Sequence, residues 1–485
     1  MSAAAETAAA IPAAARHADF PTWLPAMLVK ELRQGLRTRG FTGALVGFQV
    51  VMTLFTIFAI AGGTGSDSLG MLQGAFWIVL TAQLLIVTPG RALMGLQAEL
   101  DTRAIDLLLL TRLTAWRVVL GKWVSLLAQA ALLVIAMLPY GVARYFFGSV
   151  DLAGELKLIT MIFAVSAVLT AAALWASALP KLARGALGFA LIFAWQFIPG
   201  IGAAVNLVTG SRSFRGPGAA APGGADLALL VFDAAVVLAI CLVGAVRKLA
   251  PRAENQAPLM RLLPLLPFLA VPFLPWRVAT GQLVFGGVLV GLAAALELAR
   301  AEEPMGCHWR AWARFGVAGR LVGRLVQPGW ASALEWVLVL AGAAAIGGAA
   351  AGDAARAAHG ALLAAEALVF PALLLTYMSR QFSQRAAGYV LVLGGASLIA
   401  AVGTASAAIS RKHELADLTL LLLPISSFWT ALTGQAVPAG PVLAGQVLVA
   451  ALVLGGAWRR ARPYRRQRRD FEAAGTGGDD GRAGA

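Results

Sequence analysis

The chain has 485 residues, 59% of them hydrophobic and only 13% charged, with a formal net charge of +15. A water-soluble domain has no means of burying that much apolar surface, so the bilayer is the expected solvent. The positive balance reads first as a topology signal, because Lys and Arg collect on the cytoplasmic side. The bases are scattered over many short loops, so nucleic acid is not expected as a partner.

Residues 1–22 are Ala-rich and read as a disordered tail with no cleaved signal. Residues 23–40 read as an interfacial helix. Leu24, Leu28, Leu32 and Leu36 fall on one face, and Lys30, Arg33, Arg37 and Arg39 surround them. Phe41–Gly62 is the first span, reaching roughly 33 Å at 1.5 Å per residue. Gly70–Leu96 returns, with Pro89-Gly90 kinking or ending it.

Residues 97–122 then break the apolar pattern. Glu99, Asp101 and Asp106 come first, Leu107–Leu110 follow, and Arg112, Arg117 and Lys122 close the segment. Acids at a helix start and bases at its end suit the helix dipole. Thr111 or Thr114 caps a second helix that runs on into the apolar stretch from Trp123. The expectation is a short helix on the membrane face, a turn, and a rising span.

Trp123–Gly148, Leu158–Leu179, Ala186–Val208 and Leu227–Val246 complete six spans, so the first unit covers 41–246. A second, degenerate six-span unit is expected over 247–458. Leu262–Trp276 carries four prolines and is read either as a broken span or as a re-entrant element. Val278–Leu298, Ser332–Ala350, His359–Tyr377, Ala387–Ile409 and Pro441–Trp458 read as spans, and Leu418–Thr433 as a re-entrant hairpin. Residues 459–485 read as a basic, disordered tail with seven arginines between Arg459 and Arg469. Keeping those arginines inside places both termini in the cytoplasm. The fold expected is therefore an all-α polytopic membrane protein, with about twelve transmembrane helices in two sets of six plus the hairpin.

No catalytic or cofactor motif is present. The chain lacks a Gly-x-x-x-x-Gly-Lys-Ser/Thr loop, a His-Glu-x-x-His pair and a Gly-x-Ser-x-Gly elbow. Cys241, Cys307 and four isolated histidines suggest neither a disulfide framework nor a metal site. No enzyme activity, metal or cofactor is expected of this chain. The candidate cavity groups are polar residues inside spans: Gln49, Gln83, Gln129, Gln196, Asp233 and Glu366. The glutamines are read chiefly as helix–helix hydrogen bonds. The two acids are costlier in lipid and more suggestive of function.

The 97–122 segment resembles the loop between the second and third spans of type-2 ABC exporter permeases. Glu99, Asp101, Ile105, Asp106, Leu107–Leu109, Thr111 and Gly121-Lys122 carry the likeness. Arg103-Ala104 stand where that family has Gly-Thr, and Arg112 where it has Pro. Lys30-Glu31-Leu32-Arg33 is similar to the stretch with which those permeases begin. The resemblance implies an exporter permease of a cell membrane, bacterial and cytoplasmic, whose loop is a coupling helix docked into a separate ABC ATPase subunit. Glu99, Asp101, Asp106, Leu107, Leu108, Thr111 and Lys122 are then the coupling residues. ATP and Mg belong to that partner. One chain acting as a pseudo-dimer, and two permease chains acting together, both remain open. A membrane scaffold without transport is the alternative reading.

Overall fold

The computed structural model describes residues 26–61, 66–96, 114–147, 152–178, 224–251, 254–274, 276–298, 308–309, 312, 315–350 and 454–476. Every regular element among them is helical, and five helices are long and apolar enough to cross a membrane. The protein is membrane-embedded, and the exposure pattern agrees. Val46, Val50, Leu54, Ile57 and Phe58 of the first span all face outward, a surface that only lipid or another apolar partner covers without penalty. Of the two expected sets of six spans, the described residues supply these five helices. The candidate spans 186–208, 359–377 and 387–409 and the hairpin 418–433 lie outside the described residues, as do tail 1–22 and the last nine residues.

The chain divides into two compact units, Met1–Thr88 with Leu107–Ile162, and Pro89–Asp106 with Phe163–Ala485. The first begins with α1 (Ala26–Leu36) and α2 (Arg39–Ala61). Between them Thr38 accepts the Phe41 amide through its hydroxyl at 3.3 Å and caps α2. Next comes α3 (Ser66–Ala82), which passes through a π turn, Gln83–Val87, into α4 (Thr88–Ala92). The long α5 spans Ala115–Phe147, and α6 runs Leu152–Ser177, passing into the second unit at Phe163. At the far end of α5, Arg144 reaches Glu155 at 2.6 Å and stacks over Phe76, 4.4 Å from the ring centre. That charge is paired on one side and covered by a π face on the other.

In the second unit, α7 (Gly224–Leu249) and α10 (Trp276–Leu298) lie parallel. Gln282 donates to Asp233 at 2.6 Å near one end, and Arg247 bonds Glu297 near the other. The two contacts lie about 21 Å apart along α7 and about 23 Å apart along α10 at 1.5 Å per residue. Two parallel neighbours need a return path between them. It is built from α8 (Ala257–Leu262), a tight turn Leu263–Leu265, α9 (Leu266–Ala270) and a second turn Val271–Phe273. Arg261 sits beside Glu297, and Phe268 farther on packs at Gly286. The segment therefore descends antiparallel to α10 over roughly 28 Å, given 1.5 Å per α residue and 2.0 Å per 3₁₀ residue. It is a proline-broken helical segment that does not turn back on itself. Pro264, Pro267 and Pro272 account for the breaks, since each removes a backbone donor.

The helices α11 (Gly316–Val326) and α12 (Trp330–Ala350) follow. Ala293, Ala294, Leu298, Ala333, Leu334, Trp336 and Ala457 form a buried cluster between α10, the start of α12 and residues 454–460. The arginine-rich end, expected to be disordered, is helical over α13 (Arg462–Thr476). Two tertiary contacts supply the order that composition did not reveal. Arg468 grips Glu335 through two hydrogen bonds of 2.8 and 2.9 Å, and Tyr464 packs edge-on against Trp330.

Close approach also fixes α6 against α7. A Cβ at Gly244 falls 2.4 Å from the Trp175 indole, a ring too stiff to yield without moving its helix. Gly244→Ala is therefore expected to destabilise the protein by about 1–3 kcal/mol. The thermal midpoint of the detergent-solubilised chain measures it, and an unchanged midpoint contradicts this packing.

Candidate functional site

The strongest structural link to the 97–122 segment lies just beyond its described edge. Of the two caps expected for the helix running into the Trp123 stretch, Thr114 is the one used, and the helix starts at Ala115: the Arg117 amide reaches the Thr114 carbonyl at 3.0 Å and its hydroxyl at 3.4 Å. Arg117 and Lys122 thus belong to the first turns of α5 itself.

Ala115, Val118, Val119, Lys122 and Ser125 are buried along one stripe of α5, at the spacing of a single helical face. α1 lies against that stripe. Met27 and Leu28 are buried, and the Met27 side chain lies where a Cβ on Gly121 would come within 3.1 Å. On the leucine face Leu28 is buried and Leu32 and Leu36 are half-buried, while Lys30, Arg33 and Arg37 stay exposed. At the centre of the joint, Lys122 Nζ donates to Glu31 Oε2 at 3.3 Å, with side-chain exposures of 9% and 13%. Gln129 is buried farther along, where its amide fills the space a Cβ on Gly35 would need.

The other predicted residues separate from this joint. Gln49 donates to the Ala136 carbonyl at 2.7 Å, and the Tyr140 hydroxyl donates to the Gln49 carbonyl at 3.2 Å. Gln49 therefore ties α2 to α5, about 10 Å along α5 from Gln129. Gln83 is buried in the π turn, and neither atom of its amide has a partner among the described residues. π turns recur at functional positions, and Thr88 reinforces this one by donating to the Gln83 carbonyl at 2.9 Å. Asp233 is held by Gln282 in the second unit. Glu99, Asp101, Asp106, Leu107, Leu108, Thr111, Gln196 and Glu366 lie outside the described residues.

Sequence reasoning missed an ionic cluster in the second unit. Arg247 and Arg261 both bind Glu297, whose side chain is fully buried. Arg261 Nη2 lies 3.1 Å from Glu297 Oε2 and 3.0 Å from Ser332 Oγ, and its other nitrogen donates to the Leu325 carbonyl. The cluster joins α7, α8, α10, α11 and the start of α12. The signal available was Glu297 in the last turn of an otherwise apolar helix, a position a carboxylate keeps only with partners.

No protein-family model, curated protein or solved structure matches this chain.

Proposed function

We propose that this chain is the membrane-spanning permease subunit of a type-2 ABC exporter, driven by ATP hydrolysis in a separate subunit. One observation carries the reading. The two short stretches that resemble the family lie about ninety residues apart in sequence, yet they meet through Glu31 and Lys122. Lys30-Glu31-Leu32-Arg33 thus packs on Gly121-Lys122, the close of the coupling pattern. A chance likeness in two stretches so far apart gives no reason for them to touch.

In this reading the exposed bases of α1 and Arg117 mark the cytoplasmic side of the first unit. Closure of the ATPase pair pushes the segment ending at Thr114. The push passes into α5 because the cap and the α1 joint leave no slack there. Rotation of α5 then biases the spans between inward- and outward-open states, a two-state element with one input. Glu99, Asp101 and Asp106 meet basic groups of the ATPase, and Leu107 and Leu108 fill its groove. ATP and Mg are bound by that partner.

The test is gentle purification of the tagged full-length chain from its native membrane. A stoichiometric P-loop ATPase is expected, lost on the double charge reversal Glu99→Lys, Asp106→Lys while the chain still elutes as a folded species. An ATPase retained by the double variant removes the docking claim. Its absence from the wild-type preparation favours a scaffold.

A further inference from the structure

In the second unit, α13 lies over the start of α12 and encloses a small crevice. Its walls include Gly329, Trp330, Ser332, Tyr464, Arg465 and Arg468. Its interior of ≈ 20 Å³ admits one oxygen-sized group. Three observations give that space a chemical preference.

The first is the helix start. The Ala333 amide bonds the Gly329 carbonyl at 3.2 Å, so Gly329 is the cap of a helix of 21 residues. Helix geometry leaves the amides of Trp330, Ala331 and Ser332 without intrahelical acceptors. Glycine has no side chain to satisfy them, and their dipoles favour an anion. The second is Trp330 itself. It is 4% exposed, and its buried indole N–H has no acceptor among the described residues. Buried donors are rarely left so without a ligand or water to receive them. The third is charge. Glu335 takes Arg468 at 2.8 Å, while Arg465 stacks over Trp458 at 3.6 Å and donates to the Trp458 carbonyl. Burial, with Arg468, Arg462 and Arg469 nearby, holds the Arg465 guanidinium below its ordinary range against the opposing pull of Glu335. It remains a cation in a field where arginines outnumber the acid.

We propose that this crevice binds a phosphate oxyanion, either the phosphodiester of an anionic lipid or free phosphate. One oxygen enters against the Trp330 indole N–H and the first-turn amides of α12. Arg465 faces the rest of the charge at the mouth. Trp330, Tyr464 and Trp458 supply the aromatic surroundings typical of headgroup depth.

The full-length protein in neutral detergent is titrated with labelled phosphatidylglycerol, phosphatidylcholine and inorganic phosphate, and bound label is counted. Wild type is expected to bind phosphatidylglycerol saturably, about tenfold more tightly than phosphatidylcholine, a ratio within reach of one or two charge-assisted bonds. Trp330→Phe keeps an aromatic side chain and removes the indole donor, and Arg465→Gln removes the cation. Each is expected to erase most of the preference, with Arg465→Lys restoring part of it. Phosphatidylglycerol binding that inorganic phosphate does not displace supports the site and assigns it to lipid. Displacement by phosphate supports the site and assigns it to the free ion. Equal binding of both lipids without phosphate binding overturns the proposal. So does a Trp330→Phe protein, eluting as wild type, that binds as wild type.

Discussion

Glu297→Gln is expected to cost about 3–5 kcal/mol of stability, the range found when one partner of a buried charge pair is removed. Arg247, Arg261 and Glu297 are 4%, 2% and 0% exposed at their side chains, so two guanidiniums share one carboxylate out of reach of water. Glutamine keeps the shape and one acceptor oxygen but takes away the carboxylate charge that both guanidiniums share. Adding Arg247→Met to the variant is expected to recover part of the loss, because one of the two buried cations that faced the carboxylate goes. Replacing Arg261 is expected to recover less, since it also holds Ser332 and the Leu325 carbonyl. The readout is built in. Cys241 is a buried thiol on α7, less than two turns from Arg247. In a Cys307→Ser background its reaction with a thiol dye, followed against temperature, reports opening of this bundle. A Glu297→Gln protein whose Cys241 stays protected to the wild-type temperature contradicts the cluster.

Glu31→Gln is expected to release α1 from α5 without unfolding the protein. The pair is only partly screened at 9% and 13% exposure, so a loss of about 1–2 kcal/mol in α1 docking is reasonable for a hydrogen bond to a charged group. That raises the population of undocked α1 by about tenfold, at 1.4 kcal/mol per decade. Lys30, Arg33 and Arg37 are exposed on α1, so tryptic cleavage there is expected to accelerate by a similar factor. The charge swap Glu31→Lys, Lys122→Glu is expected to slow it again. Under the exporter reading, the same single variant lets the partner hydrolyse ATP with little substrate movement, because the joint that steers α5 has been loosened. Unchanged cleavage and unchanged coupling together dismiss the joint as a transmission element.

Much of the local architecture was legible in the residues. Phe41–Gly62 and Leu227–Val246 were found as helices because a long apolar run has one stable backbone solution in lipid, and both are helical within a few residues of the expected limits. The leucines every four residues in α1 announced an apolar face. They did not announce its partner, since a leucine stripe is equally content against lipid or against a helix. The sequence offered Thr111 or Thr114 as the cap of the helix leading into the Trp123 stretch, and the helix begins at Ala115 with Thr114 at its cap, so Arg117 and Lys122 lie in its first turns. A helix accommodates charge in its first turns where a neighbour, here Glu31, receives it. The tail arginines were read as disorder from composition, yet one of them, Arg468, finds Glu335 more than a hundred residues earlier in the chain.

The sequence by itself determined the solvent of this protein, the class of its backbone and the positions of most of its described helices. Each of those depends on the local ratio and period of apolar residues. The tertiary structure alone decided that Arg247 and Arg261 share Glu297, that Lys122 meets Glu31, that the proline-rich segment runs antiparallel to α10, and that Trp330 lies beside Arg465. Such pairings depend on helix ends being brought within a few ångströms by packing over the whole bundle. No spacing along the chain encodes that distance.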